Sequence, residues 1–155
     1  YRAHYIAGEM IKAGADNLQI QNEIFNSNSE DRIRLMGFAL SDKLTIVPEL
    51  NVGYITLSVE ELDRFNFQNG DTEGLVNYVL SIKGVCFAVL MLERGQSVKC
   101  SFRSIGQFPS NEVARNHFNG GGHRNASGGE YHGSLVEAEQ LLLEVLPEYK
   151  EQLIG

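Results

Sequence analysis

The chain has 155 residues, of which 43% are hydrophobic and 21% are charged, with 16 glycines and only 3 prolines. This composition is typical of one ordinary globular domain, and it excludes disordered, collagen-like and disulfide-framework classes. The formal net charge of -7 argues against a general nucleic-acid coat, because sequence-independent affinity for phosphate backbones needs many Lys and Arg side chains. Any phosphate ligand must therefore be bound locally.

Neither membrane insertion nor secretion is indicated. The longest uncharged apolar stretch, from Gly84 to Leu92, is far shorter than the roughly 20 residues that a membrane helix needs. The two cysteines, Cys86 and Cys100, lie in strand-like runs without Cys-x-x-Cys spacing. We therefore expect a cytoplasmic location, reduced cysteines and no membrane contact.

Three helices are predicted at the start of the chain. Apolar residues at helical spacing indicate a first helix over residues 1–13, and Asp16 is expected to cap a second helix that runs to Phe25. A third helical run extends from Ser27 to Leu40. Because the chain begins at Tyr1 rather than Met, we interpret it as a fragment of a longer protein.

Residues 44–155 are predicted to form a separate α/β domain. Strands are expected over 44–50, 52–58, 85–93, 98–103 and 130–132, and helices over 60–65, from Asp71 to Gly84, from Ser110 and from Ser134. The run at 85–93 is almost entirely apolar, which indicates a central strand. The expected fold is a mixed sheet of about five strands flanked by helices and preceded by a helical linker.

A glycine-rich segment, NGGGHRNASGG over residues 119–129, is the sharpest motif. Gly120, Gly121 and Gly122 allow backbone amides to converge into a nest that binds anions. A short helix beginning at His123 would add its positive end, and the imidazole could donate to a phosphate. The alternative is a flexible surface loop between a helix and a strand.

The strand that precedes this segment has a basic face. Alternation places Lys99, Ser101 and Arg103 on one side and Cys100 and Phe102 on the other. A guanidinium at the end of a strand suits a bidentate phosphate contact, although the basic side chains could simply be the solvated face of an edge strand. Residues 94–124 contain five Lys or Arg residues and one acid, a local charge of +4 that leaves -11 for the rest.

Other chemistry is less well supported by the sequence. Asp71 and Glu73 are expected to stabilise the start of a helix, whereas Gly74 inside its first turn allows close approach of a backbone or a ligand. Cys86 fits a small core residue better than a nucleophile. We predict neither catalytic residues nor metal ligands in this chain, since no histidine spacing suits a metal.

Three motifs, DTEGLVN at 71–77, KCSFRS at 99–104 and GGGHRNASG at 120–128, occur in this order. Together they resemble the C-terminal, DHH-associated substrate-binding domain of DHH-family phosphoesterases. The resemblance implies that residues 44–155 are this domain and that residues 1–43 are the helical end of the catalytic domain together with its connector. Within that family the resemblance is to the NrnA-like oligoribonucleases, which cleave nanoRNA and also act as phosphatases of 3'-phosphoadenosine 5'-phosphate.

The resemblance implies that two domains have different roles, one in catalysis and one in substrate binding. The upstream DHH domain of such enzymes binds two manganese ions, and its Asp-His-His motif is absent here, so we expect no cofactor in this chain and no activity from it alone. The implied contacts to substrate phosphate come from His123 and the three glycines at 120–122, and from Arg103 and Ser104, with Lys99 as a weaker candidate.

Several partners and functions remain open at this point. The implied substrate is a short oligoribonucleotide or a nucleotide 3'-phosphate, and the upstream DHH domain is the implied protein partner. Related exopolyphosphatases make polyphosphate an alternative substrate. A nucleic-acid-binding module like that of alanyl-tRNA synthetases, a structural or interaction domain, and a homodimer are further alternatives.

Overall fold

The computed structural model describes all 155 residues, which form two compact units, Tyr1–Glu30 and Asp31–Gly155. The first unit contains α1 (Arg2–Lys12) and α2 (Asn17–Phe25). The carboxylate of Asp16 accepts hydrogen bonds from the amides of Leu18 and Gln19, which confirms the predicted cap. Neither helix contains a buried residue, so their apolar side chains face outward.

The second unit contains six strands and six further α-helices. The strands are β1 (Leu44–Val47), β2 (Val52–Leu57), β3 (Phe87–Arg94), β4 (Ser97–Ser104), β5 (Gly121–His123) and β6 (Ala126–His132). The helices are α3 (Glu30–Asp42), α4 (Val59–Arg64), α5 (Leu75–Leu80), α6 (Ser110–His117), α7 (Leu135–Val145) and α8 (Lys150–Ile154), and short 3-10 turns cover Pro48–Leu50 and Leu146–Tyr149.

The strands form one mixed sheet in the order β1-β2-β3-β4-β6-β5. Only β2 and β3 are parallel, and every other neighbouring pair is antiparallel. The predicted mixed sheet flanked by helices is confirmed, with β5 as a strand that the sequence did not indicate. The apolar strand β3 lies inside the sheet, as predicted, because it is buried on both faces.

Helices cover the two faces of the sheet to different extents. On one face, apolar residues of β2, β3 and β4 form a core with α6, α7 and α8. On the other face, a second core contains residues of β2 and β3 together with α3, α4 and α5, and it includes no residue of β4, β5 or β6. The second face is therefore covered over only half of the sheet.

Helix α3 belongs to the sheet unit. Leu35 and Ala39 are fully buried in the second core, where they pack with residues such as Ile55 and Leu57. The predicted division between residues 43 and 44 concerns a longer protein and stays a prediction, whereas the compact unit described here begins at Asp31.

The helix expected from Asp71 to Gly84 is shorter at both ends. Asp71 accepts a hydrogen bond from the amide of Gln68 and so closes a turn, while Gly74 stands at the N-cap of α5 with φ +85°. This left-handed conformation favours glycine, which explains a residue that costs stability inside a helix. The helix ends at Leu80, and Gly84, with φ +91°, lies in the turn beyond it.

Two other helix starts follow the sequence closely. Ser58 and Ser134 each form a capping box, with Glu61 and Glu137 respectively. Hydrogen bonds from the backbone and the hydroxyl of Ser134 lower the pKa of Glu137. None of the helices has both the length and the apolar character needed to cross a membrane.

The burial of α3 leads to a testable expectation. Replacing Leu35, which is 0% exposed, by Ala should lower the free energy of unfolding by about 2–5 kcal/mol, because the truncation leaves a cavity. Ile33→Ala in the same helix is the matched control: Ile33 is 55% exposed, and its loss should change stability by no more than about 0.5 kcal/mol. Urea unfolding measures both, and equal effects would contradict the placement of α3 in the core.

Candidate functional site

Strand β4 carries a basic face on the uncovered half of the sheet. Lys99, Ser101 and Arg103 are exposed or half-buried on this face, while the intervening Cys100 and Phe102 are buried in the core with α6 and α7. This confirms the alternation predicted from the sequence. Helix α5 approaches β4 on the second face, yet Lys99 stays exposed and Ser101 and Arg103 stay partly accessible.

A cavity of about 410 Å³ lies between this face and the loop that leads into α5. Its floor is formed by β3 and β4, which contribute Leu90, Leu92, Arg94 and the three side chains of the basic face. The facing wall contains Phe67, Asn69, Gly70, Thr72, Glu73, Gly74 and Val76. The cavity therefore has both charged and apolar surfaces.

Helix α3 holds the wall of the cavity in place. Arg32 donates a hydrogen bond from Nη2 to the carbonyl oxygen of Glu73 at 3.2 Å. Asn66 donates from its side-chain amide to the carboxylate of Asp31 at 3.1 Å. These contacts tie the loop to a helix that is itself anchored in the core.

The cavity has an excess of positive charge. Arg94, Lys99 and Arg103 line it together with a single acid, Glu73, and none of the four side chains forms an ion pair. Arg103 is oriented by hydrogen bonds from Nη1 to the carbonyls of Phe102, at 2.9 Å, and Ser127, at 3.5 Å. The rest of its guanidinium stays available to a ligand.

The glycine-rich segment has a different conformation from the one expected. Gly121, Gly122 and His123 form β5, an edge strand paired with β6, and no helix begins at His123. The amide of Gly120 donates to the carbonyl of Ala114. Since this bond engages the amide of Gly120, the three glycine amides do not all converge on one anion in the way that the predicted nest requires.

Gly120 is required by a close contact between backbones. A Cβ atom at this position would lie 2.1 Å from the carbonyl oxygen of Gly128 and 2.6 Å from the Cα of Gly129. At Gly121, by contrast, a Cβ would meet nothing within 4 Å. The first glycine thus lets the segment after α6 lie against β6, whereas the second faces open space.

His123 and Arg103 lie in one row across the uncovered half of the sheet. Arg103 is paired with Ala126, and Ala126 with His123, so all three side chains are on the same face. Two strand spacings separate the backbones of Arg103 and His123, about 10 Å. In the next row, Gly128 lies between Ser101 and Gly121. Small residues therefore form a shallow floor between the two basic side chains.

The structure brings some of the predicted site residues together and separates others. Lys99 and Arg103 line the cavity, while the residues at 120–123 lie beyond it along the same face. Ser104 is on the opposite face, where its buried hydroxyl donates to the carbonyl of Phe108 at 2.7 Å and accepts from the side chain of Asn125 at 2.9 Å. These bonds occupy the Ser104 hydroxyl.

The cavity also contains residues that the sequence did not single out as ligands. Phe67, Asn69 and Thr72 lie in the wall, and Glu73 was considered only as a partner of a helix dipole. The available signal was Gly74, a costly residue at a supposed first helical turn, next to the acid. Gly74 indicated an unusual backbone conformation at this point, but it did not indicate that β4 lies opposite.

The cysteines are unsuited to nucleophilic chemistry. Burial raises the pKa of Cys100 to about 12, and the negative charge of Glu130 adds to this effect. Burial also raises the pKa of Cys86, whose thiol donates to the carbonyl of Leu153 at 3.2 Å. The thiolate is the reactive form, so both residues are poor nucleophiles near neutral pH.

The residues present do not fit a metal site. No group of three or more His, Cys, Asp and Glu side chains lies close enough together to hold an ion. The side chains along the open face are instead suited to binding an anionic ligand through charge-assisted hydrogen bonds.

Comparison with known proteins defines the class. Residues 51–152 match the DHHA1 domain, and the chain belongs to this domain family of the DHH phosphoesterases. It is 26% identical over 139 residues to the bifunctional oligoribonuclease and PAP phosphatase NrnA of Bacillus subtilis (strain 168); the match covers 90% of this chain and 42% of NrnA.

Two solved structures share the fold. An exopolyphosphatase-related protein of Bacteroides fragilis superposes with a TM-score of 0.93 at 41% identity, over 99% of this chain and 45% of that protein. A pGpG-specific phosphodiesterase, PggH of Vibrio cholerae, superposes with a TM-score of 0.55 at 11% identity, over 87% of this chain and 43% of that chain, and shows the fold alone. The chain thus spans less than half the length of these relatives.

The close contact at Gly120 predicts a difference between two adjacent glycines. Gly120→Ala should lower the free energy of unfolding by about 1–3 kcal/mol, because the added methyl group forces α6 and β6 apart. Gly121→Ala adds the same atom in open space and should change stability by less than about 0.5 kcal/mol. Thermal unfolding compares the two, and a Gly120→Ala variant as stable as the original chain would contradict the contact.

The raised thiol pKa values predict slow alkylation of the folded protein. At pH 8 the thiol of Cys100, which is 1% exposed, should remain unmodified by iodoacetamide while the protein is folded, and both cysteines should react in urea. Mass spectrometry of peptides locates the label. Rapid labelling of Cys100 without urea would contradict the buried, protonated state.

Proposed function

We propose that this chain is the substrate-binding half of a metal-dependent phosphoesterase that hydrolyses short oligoribonucleotides or nucleotide 3'-phosphates. One observation carries the proposal: Arg103 and His123 share a row on one sheet face, with only small residues between them, and Lys99 lies on the same face four residues before Arg103 on β4. The family and the similarity to NrnA support it.

Phosphate groups would lie on the floor formed by Ala126 and Gly128. Arg103, already fixed at one nitrogen by backbone carbonyls, would donate its remaining N–H groups to phosphate oxygens. The side chain of His123 is exposed, while its backbone pairs with Ala126, so the imidazole would donate to a second oxygen or a neighbouring phosphate. The glycines beside it allow the ligand to approach the edge strand closely.

The rest of the catalytic machinery would be in another part of a longer protein. We infer that an upstream DHH domain holds the manganese ions and that the first helical unit packs against it, since that unit exposes apolar side chains such as Ile6 and Phe25. This chain would fix the phosphate and so align the scissile bond, which is the contribution of a positioning domain. Its own residues would supply neither nucleophile nor metal ligands.

The proposal is tested by kinetics of the longer protein that contains this domain, with a diribonucleotide as substrate. Arg103→Ala and His123→Ala should each reduce kcat/KM by about tenfold to a hundredfold, because each removes a charge-assisted hydrogen bond to phosphate. Arg103→Lys keeps the positive charge, so its kcat/KM should lie between those of Arg103→Ala and the original protein.

Arg115→Ala is the matched control, since Arg115 is an exposed arginine on α6, which covers the opposite face of the sheet. It should leave kcat/KM unchanged. Thermal unfolding of each variant separates loss of binding from loss of fold, and His123 offers the cleaner case because its side chain makes no internal bond. Unchanged kinetics in both the Arg103 and His123 variants would overturn the proposal.

A second candidate substrate is inorganic polyphosphate. It is favoured by the 41% identity to a protein described as exopolyphosphatase-related. Polyphosphate would use the same basic row, so the variants above do not distinguish it from a nucleotide. The other residues that line the cavity differ in what they offer a nucleotide and a polyphosphate.

A further inference from the structure

The cavity next to the basic row has two chemically different sides. Arg94, Lys99 and Arg103 lie along its floor on β3 and β4, whereas the wall presents the half-buried ring of Phe67. Leu90 and Leu92 are buried beneath the floor. A chain of phosphates has no apolar surface that could pack against the second side. A ligand with a flat apolar part can use this ring as well as the basic side chains.

Glu73 gives a second, independent indication. Its side chain borders the cavity, and it forms no ion pair despite three cations along the same cavity. A carboxylate repels polyphosphate, but it accepts hydrogen bonds from the hydroxyl groups of a ribose or the N–H groups of a base. Its backbone is held by Arg32, so the exposed carboxylate extends from a fixed point of the wall.

Phe67 is placed to pack against a flat ligand. Part of its side chain packs on the core formed with α3, α4 and α5, and the remaining part borders the cavity. A ring fixed in this way loses little freedom when a base stacks on it, and base stacking on an aromatic side chain contributes about 1–3 kcal/mol. The cavity, of about 410 Å³, is in the lower part of the range for small-molecule sites.

We propose that the wall formed by Phe67 and Glu73 is a nucleoside subsite, which selects a nucleotide over polyphosphate. This inference rests on the proposed function, because it assumes that the phosphate of the same ligand is bound by Arg103. Phe67 packs against the base, and Glu73 accepts hydrogen bonds from the sugar or the base. The cavity holds about one nucleotide unit.

The test compares two probes, adenosine 5'-monophosphate and inorganic tripolyphosphate, by isothermal titration calorimetry with the 155-residue chain at constant ionic strength. Glu73→Gln should weaken binding of the nucleotide about tenfold, since a hydrogen bond to a charged group is replaced by a neutral one. The same change should leave tripolyphosphate binding equal or stronger, because a negative charge is removed. Phe67→Leu, which keeps apolar packing, should weaken only the nucleotide, by about fivefold.

Glu112→Gln is the matched control, because Glu112 is an exposed acid on α6, which covers the other face of the sheet; it should alter neither affinity. The subsite is overturned if Glu73→Gln and Phe67→Leu change both affinities by the same factor, or leave nucleotide affinity unchanged. Arg103→Ala separates this failure from that of the proposed function. It should weaken both probes, and if it weakens neither, or if neither probe binds at millimolar concentration, phosphate binding at this face is itself wrong.

Discussion

The unequal cover of the sheet is the constraint on which the site depends. Strand β3 is buried on both faces, so helices must pack on both sides of it. On the second face α3, α4 and α5 cover β2 and β3, and α5 also approaches β4, but the apolar core beneath them includes no residue of β4, β5 or β6. A strand next to the edge of this cover must have one apolar and one polar face, and β4 has both.

The unequal cover of the sheet explains why the basic face of β4 could be predicted from the sequence and the rest of the site could not. Polar and apolar side chains alternate over residues 99–103, because a strand with one buried and one accessible face has a hydrophobic period of two. The glycine run was harder to interpret, since glycine accepts many backbone conformations and local sequence does not choose among them. Pairing with β6 decides that Gly121 and His123 are extended, and the register with Ser127 and Ala126 has no local signal.

The wall of the cavity could also be predicted only in part from the sequence. Asp71 and Gly74 both fit a helix start, but the carboxylate of Asp71 bonds to Gln68 and the left-handed Gly74 begins the helix. The contact of Arg32 with Glu73 spans 41 positions and cannot be inferred from spacing. The helices and the central position of β3 thus follow from the pattern of apolar residues, whereas the opposing wall depends on tertiary contacts.

The acidic and the basic side chains of the chain have different surroundings. The chain carries a net charge of -7, and several of its acids, including Glu61 and Glu137, are engaged at helix N-termini, where hydrogen bonds and the helix dipole stabilise them. Three basic side chains without ion-pair partners line one cavity. A field of this kind attracts a small anion to one place and repels a long polyanion from the rest of the surface. A single acid at that cavity, Glu73, would weaken the attraction for bare phosphate and, in the proposed subsite, would favour a ligand that also carries hydrogen-bond donors.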